Sequence, residues 1–417
     1  MNREDFIALL SPEGQQLLAR VEYDNKTDVL KLVSHLRAEG FDPALVAAVL
    51  TQAKLRRRAA AKFGEFAGRM LFTEHGLEQA SRLSVAALHA GRFRAAGSKT
   101  VADLGCGIGT ESLAFASVDL EARAFDLDEV TAAVATYNLN VFENASVEQA
   151  DVTTLNLARF DAIFFDPARR DLSGAKGERA IRKFDPAQFA PNFDWVVEAC
   201  KSHVASAGSK GSPAKAAGIK LGPGHPHEAI DDAAEAQWVS VGGDLVELSL
   251  WFGSAARAEV KRAALLIDGS GKHHEITSAS ATRLDAPYGE LGDFIYEPDN
   301  AVIRSHLLGQ LAESLDLHIF ANEIAYLTGR DGAASVQNSP WLKGYRVIDN
   351  LAFDRKKLKA YLRERNIGTL EIKKRGSDVV PEQLRKEMAL KGEGAATLVV
   401  TRVGDAHRVL VTEPLAN

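Results

Sequence analysis

The sequence predicts an α/β protein: a parallel sheet covered by helices, with a helical region before it and a small α+β module after it. Three observations carry that expectation. Residues 1–95 show helical periodicity throughout. Near Thr100 the pattern changes to short apolar runs alternating with longer amphipathic ones. From Tyr345 onward strands and helices alternate in a segment of different charge. At 417 residues the chain exceeds one ordinary core. The predicted divisions are an N-terminal helical domain over 1–95, the sheet domain over 96–270, a connecting α+β region over 271–344 and a basic domain over 345–417.

In the first region, Ser11-Pro12-Glu13 marks a helix start: a hydroxyl cap, proline at the first helical position, then an acid facing the positive end of the dipole. Asp42-Pro43 repeats the signal before the periodic run Leu45, Val46, Val49, Leu50. The basic run Lys54, Arg56, Arg57, Arg58, Lys62 reads as a solvated helix face. Leu77–Ala90 reads as one helix.

Past Thr100, Val101–Leu104, Ala122–Phe125, Ser146–Ala150, Ala162–Phe165 and Ile219–Leu221 read as strands. Thr110–Ala116, Val130–Phe142 and Trp195–Val204 read as helices between them, the βαβ rhythm of a parallel sheet. Ala205–Gly218 turns to Ala, Gly, Ser, Lys and Pro, the composition of a surface loop. Residues 237–268 are richer in strand, followed by a strand at Phe294–Tyr296 and a helix at Ala301–Leu315. The last segment predicts strands at Tyr345–Ile348, Thr369–Lys373, Ala396–Arg402 and His407–Thr412, with helices at Arg355–Arg365 and Pro381–Leu390.

Composition narrows the class. With 46% hydrophobic and 25% charged residues the chain is globular. No apolar run approaches the ~20 residues that span a bilayer, so no membrane partner is expected. Met1-Asn2-Arg3-Glu4-Asp5 does not open a signal peptide. Two cysteines, Cys106 and Cys200, build neither a disulfide framework nor a zinc cage, which points to a cytoplasmic protein. The net charge of -6 conceals an asymmetry: residues 345–417 hold 15 Lys+Arg against 10 Asp+Glu, and the remainder 35 against 46. A basic module on an acidic body suits a polyanionic partner, or is a Lys-rich solvated surface. Lys373-Lys374-Arg375 leads the candidate patch.

The chemistry gathers at Val101-Ala-Asp103-Leu-Gly105-Cys-Gly107-Ile-Gly109-Thr-Glu111, where a strand runs into a Gly-rich turn and then a helix. Glycine lets the backbone approach a ligand closely. A dinucleotide would want its third glycine at position 110, which is Thr110. It would also be repelled by Asp103, two residues before Gly105. The same carboxylate attracts the ammonium and suits the sulfonium of S-adenosylmethionine, which is therefore the expected cofactor. Asp126, ending the second strand, can accept both ribose hydroxyls. Asp128 reads as a helix cap, and Asp151, ending the third strand, can accept from the adenine amino group.

Residues 100–170 resemble the class I methyltransferase superfamily, whose fold is a Rossmann-like sheet. Ala162–Phe165 leads into Asp166-Pro167-Ala168-Arg169-Arg170, where amino-group methyltransferases carry Asp/Asn-Pro-Pro-aromatic. Taken with the helix Leu77–Ala90 ahead of the Gly loop, the catalytic domain resembles trimethylguanosine-synthase-like enzymes. The run from Arg346 through Leu370–Gly376 to Leu398–Arg402 resembles the bacterial THUMP-like domain, and the chain as a whole an uncharacterised bacterial family that joins the two. The resemblance implies that Asp166 and the carbonyl following it hold a substrate nitrogen while an aromatic residue stacks on the base. Here Ala168 and Arg169 depart from the pattern. Arg169 can stack through its guanidinium, bind a phosphate or form a structural ion pair.

Arg169, Arg170, Lys176, Arg179, Arg182 and Lys183 outnumber Asp171, Glu178 and Asp185, and at the carboxyl end of a strand they favour an anionic substrate. The loop Lys220–His227 belongs on the same rim. Its histidines lack a matching ligand pattern, so no metal is expected. The reading is an RNA-directed methyltransferase (transferase class EC 2.1.1.-) with Asp166, Pro167 and Arg169 at the reaction. RNA would be captured by the C-terminal domain and the loop after Asp166. The alternatives are a methyltransferase for a small molecule or protein, and a non-catalytic S-adenosylmethionine-binding, RNA-binding protein.

Overall fold

In a computed structural model of the protein, residues 1–24, 26–169, 189–207, 214–330, 332 and 334–415 are described. The chain divides into two compact units: Met1–Leu221 with His225–Ala234 and Ser249–Arg257, and Gly222–Gly224 with Glu235–Leu248 and Ala258–Asn417.

The first unit opens with α1 (Arg3–Leu10), α2 (Pro12–Arg20), α3 (Val29–Ala38) and α4 (Pro43–Phe63). Side-chain caps fix their starts: Asn2 on α1, Ser11 on α2, Asp28 on α3 and Asp42 on α4. Val46, Val49, Leu50, Leu55 and Phe63 along α4 bury with Leu9, Leu17 and Phe72, and the same core takes in Ile108 and Val134 from the sheet region. The basic run on α4 is the solvated face expected only in part: Lys54, Arg57 and Arg58 are exposed, while Arg56 and Lys62 are half-buried. Arg56 Nε donates to Met70 O at 2.9 Å, Arg58 pairs with Glu74 at 2.7 Å, and Lys62 Nζ donates to the carbonyls of Leu77, Glu78 and Ala80 at 2.7–2.9 Å.

Lys62 also explains a second departure. Leu77–Ala90 is not one helix but α5 (Glu74–Gln79) and α6 (Leu83–Ala95), with Ala80–Arg82 between them. The Leu77 and Glu78 carbonyls that a continuous helix would give to the next turn accept from Lys62 instead.

The sheet follows: β1 (Thr100–Leu104), α7 (Thr110–Ser117), β2 (Glu121–Asp126), α8 (Glu129–Leu139), β3 (Ala145–Gln149) and β4 (Ala162–Phe165). After them come the two-residue pair β5 (Ala168–Arg169) and β6 (Phe189–Ala190), then α9 (Phe193–Ala205) and β7 (Ala216–Leu221). The order is β7-β4-β1-β2-β3, with every neighbouring pair parallel. The chain builds outward from β1 to β3, then crosses to the other side of β1 with β4. That reversal opens a crevice at the carboxyl ends of β1 and β4, where open sheets of this kind bind ligands. Residues 208–213 of the predicted Ala205–Gly218 loop lie outside the described residues.

The second unit holds β8 (Glu235–Val241), the first half of β9 (Asp244–Gly253), β10 (Arg262–Ile267) and β11 (His273–Ser278). The later residues of β9 belong to the first unit, beside β7. Then come β12 (Phe294–Pro298), α10 (Asn300–Arg304), α11 (Leu308–Ser314), β13 (His318–Ile319), β14 (Leu327–Gly329) and α12 (Ala334–Gln337). The single helix expected over Ala301–Leu315 is broken between α10 and α11. His306 takes φ 64°, and Leu307 N–H reaches back to Val302 O at 3.0 Å while His306 N–H bonds Ile303 O, the paired bonds of a Schellman stop.

The chain closes with β15 (Leu342–Ala352), α13 (Arg355–Glu364), β16 (Ile367–Lys374), α14 (Pro381–Met388), β17 (Gly394–Val403) and β18 (Ala406–Pro414). They join a sheet ordered β13-β14-β12-β15-β18-β17-β16. Alternation along its strands separates two cores: Leu398, Val400, Val409 and Val411 pack under α13 and α14, while Val399 and Leu410 pack with Ile295, Phe320 and Tyr345. The same alternation undoes the expected basic patch. Lys373 and Arg375 face Glu297, at 2.9 and 3.9 Å, and lie over the rings of Tyr345 and Tyr326, leaving Lys374 exposed. Outward basic side chains of this region include Lys356, Lys357 and Arg363 on α13, Arg385 and Lys386 on α14 and Arg402 on β17.

Candidate cofactor and acceptor site

Between β1 and α7, Gly105, Gly107 and Gly109 all adopt positive φ, at 88°, 56° and 86°. L side chains rarely take that conformation. A Cβ on Gly105 would meet the Asp166 carbonyl oxygen at 3.1 Å, so this glycine lets the loop close against the end of β4. A Cβ on Gly109 would make only ordinary contact with Leu139 and Ala135, so it is the positive φ that calls for glycine at this position.

The loop faces a cavity of about 860 Å³ in the first unit, ample for a nucleoside-sized ligand. Asp103, Gly105, Gly107, Asp126, Asp151 and Asp166 line it. Gly109 and Pro167 do not. The backbone of Arg169 pairs with Phe189; its side chain and the basic loop from Arg170 through Lys183 lie outside the described residues.

Asp103 is wholly buried. Its Oδ2 accepts from Ser112 Oγ at 2.6 Å, and its Oδ1 has no hydrogen-bond partner among the described residues. Burial above all, with Glu111 and Asp166 adding to it, pushes its carboxyl up to about 7. Asp126 accepts from the N–H groups of Gly107 at 3.1 Å and Asp128 at 2.9 Å, and burial raises its pKa. Asp128 caps α8 through Thr131. Asp151 lies exposed on the cavity rim, its Oδ1 accepting from the hydroxyl and N–H of Thr153, which hold its carboxyl below the usual range.

At the end of β4, Asp166 Oδ2 accepts from Lys220 Nζ at 2.6 Å, and Lys220 also donates to Gln79 O at 3.1 Å. Lys220 belongs to β7 rather than to the loop beyond it. Trp195 on α9 lines the same end of the cavity, edge-on to Phe165 with ring centroids 5.9 Å apart.

Sequence reasoning put Lys220 on the rim but gave it no role, and it passed over several other lining residues. The pairing of Lys220 had a signal: a lysine inside the otherwise apolar run Ala216–Leu221 is out of place unless partnered. Leu127 sits between two acids and is 70% exposed, yet lines the cavity. Thr73, Gly76, Gln79 and Ser81 form a wall from the N-terminal helices, which no local motif announces.

The donor set fits S-adenosylmethionine. A buried acid with an unpartnered oxygen suits an ammonium, a carboxylate at the end of β2 suits vicinal hydroxyls, and Leu127 and Val152 offer apolar contact for a base.

Comparison with known proteins agrees. Residues 67–183 match the methyltransferase small domain, residues 342–414 a family described as THUMP domain-like, and residues 2–59 a domain of unknown function (DUF8688). Over 359 residues the chain is 30% identical to an uncharacterized S-adenosylmethionine-dependent methyltransferase of Mycobacterium tuberculosis, in strains CDC 1551 / Oshkosh and ATCC 25618 / H37Rv. That match covers 84% of this chain and 91% of the relative. A solved structure from Porphyromonas gingivalis W83, classed as a methyltransferase, is similar with a TM-score of 0.70 at 18% identity. It covers 95% of this chain and 100% of that one, a likeness of fold.

Proposed function

This chain belongs to a family of S-adenosylmethionine-dependent methyltransferases, and we propose that it methylates RNA. The observation that carries the reading is the THUMP domain-like segment at 342–414 on the same chain as the cofactor cavity.

The cofactor, when bound, supplies a methyl group already activated for transfer, so the protein's task is to place a nucleophile and exclude water. Asp103, Gly105, Gly107, Asp126 and Asp151 are the proposed cofactor residues. Asp166 and the backbone carbonyl of Pro167 accept from the N–H of the acceptor. Lys220 fixes one Asp166 oxygen through an ion pair at 2.6 Å. Trp195 offers the flat face that the motif lacks at Arg169, and a nucleobase can stack on it. RNA phosphates engage the exposed basic side chains of α13, and the basic residues after Asp166 belong to the same proposal.

Mass spectrometry of tRNA and rRNA nucleosides from a deletion strain tests the reading. A methylated nucleoside lost with the gene and restored by the wild-type chain is the expected result. An unchanged nucleoside profile, with no RNA bound by the purified protein, leaves a small-molecule or protein acceptor.

A further inference from the structure

Four buried polar atoms on residues lining the cofactor cavity have no hydrogen-bond partner among the described residues: Ser81 Oγ, Asp103 Oδ1, Thr110 Oγ1 and Glu111 Oε1. All four residues line the cavity. Leaving such atoms unpaired in a protein interior is costly, and they persist where a ligand completes them.

Each carboxylate gives its other oxygen to the protein. Asp103 Oδ2 holds Ser112 Oγ at 2.6 Å, and Glu111 Oε2 lies 2.9 Å from His89 Nδ1. His89 does not line the cavity. It is buried between Phe164 and Trp251, with Ser249 Oγ 3.3 Å from its Nε2. This chain of contacts orients Glu111 from behind and leaves Oε1, with the Ser81 hydroxyl near the same carboxylate, to complete its bonds with a ligand.

We propose that Glu111 is a second cofactor-binding carboxylate, which together with Asp103 holds the α-ammonium of S-adenosylmethionine. Two carboxylate oxygens, with hydroxyls of Ser81 and Thr110 nearby, match a primary ammonium, which has three donors to place and no acceptor. Charge balance points the same way. Two neighbouring buried carboxylates resist joint ionisation. Burial opposes the charge on Glu111, but His89 above all, with Lys220 and Ser81, outweighs it and the pKa is lowered. Asp103 is therefore the acid that retains a proton near neutrality, under the influence of Glu111, Asp166 and Lys220, with Ser112 and the Cys106 thiol beside it. An arriving ammonium lets Asp103 ionise, so cofactor binding releases a proton.

Calorimetry on the full-length protein tests this with S-adenosylhomocysteine and with 5′-methylthioadenosine, which lacks the amino-acid group. In wild type, S-adenosylhomocysteine should bind about ten-fold more tightly at pH 8 than at pH 6. It should also release protons in buffers of different ionisation enthalpy, and 5′-methylthioadenosine should do neither. Glu111→Gln should weaken S-adenosylhomocysteine about ten-fold or more and leave 5′-methylthioadenosine within two-fold. Equal weakening of both ligands makes Glu111 a structural residue and overturns the proposal. If Glu111→Gln does not fold, the wild-type comparison decides: equal proton release by the two ligands places the ammonium elsewhere.

Discussion

At the carboxyl ends of β1 and β4, Asp103 and Glu111 each keep an oxygen buried and unpartnered. On the C-terminal sheet Lys373 and Arg375, charged residues in a conspicuous run, are committed to Glu297 and to the rings of Tyr345 and Tyr326. The first region is acidic where a cation must bind. The second is basic by count, yet the run that announces it is in part neutralised within the fold, at Lys373 and Arg375. A tally of charged residues therefore says little about a binding surface, whereas hydrogen-bonding capacity left over after folding says a great deal.

The largest expected effect sharpens the first half of that contrast. Asp166→Ala should abolish methyl transfer to a verified RNA while S-adenosylhomocysteine affinity stays within a few-fold, the signature of a residue that places the nucleophile. Asp166→Asn, which preserves shape, should show the same separation. Normal turnover in either variant would move acceptor placement to another part of the cavity.

Asp126→Ala comes next. It removes two charge-assisted bonds proposed to the ribose, worth roughly 1.5–3 kcal/mol each before compensation, along with the bonds that order Gly107 and Asp128. Calorimetry should show S-adenosylhomocysteine weakened by about 100-fold. A loss below about three-fold would mean that the ribose is held by other groups.

The second half of the contrast is tested by two sets of substitutions. Combining Lys356→Ala, Lys357→Ala and Arg363→Ala should lower RNA affinity by about ten-fold and reduce the slope against salt by up to ~3, because fewer counterions are released. Lys373→Ala should lower the melting temperature and leave that slope in place. Reversed outcomes would restore the Lys373–Arg375 run as the phosphate contact.

The smallest effect is a pH dependence of the ligand-free protein. Asp103 titrates at about 7 in the fold, above its ordinary 3.8. A carboxyl raised in this way contributes stability below its unfolded pKa, and that contribution fades as pH rises through 7. Thermal melts between pH 5 and 8 should therefore fall by on the order of a few degrees more in wild type than in Asp103→Asn.

Much of the sheet was legible because its signals are local. Val101–Leu104 running into three glycines, and acids ending successive strands, are contained within a few residues each. What failed to show was non-local. The break at Ala80–Arg82 depends on Lys62, fifteen or more positions earlier. The fate of Lys373 depends on Glu297, which lies 76 positions away. Lys220 and Asp166 are 54 positions apart and meet because β4 and β7 are neighbours. Periodicity predicts which face of an element is buried, but not which partner waits on the other side.

The engaged basic stripe on α4 bears on how such a protein can be recombined. Family comparison divides the chain between 59 and 67, as though the leading helices were a cassette. Yet Arg56, Arg58 and Lys62 fasten residues 70–80, and Gln52 binds both backbone groups of Phe72. Thr73, Gly76 and Gln79 in that stretch wall the cofactor cavity. A chimera that exchanged the helices without carrying over Gln52, Arg56, Arg58 and Lys62 would inherit a methyltransferase with one wall unpinned. The seam that descent has left in the sequence is therefore not a seam along which the machine can be taken apart.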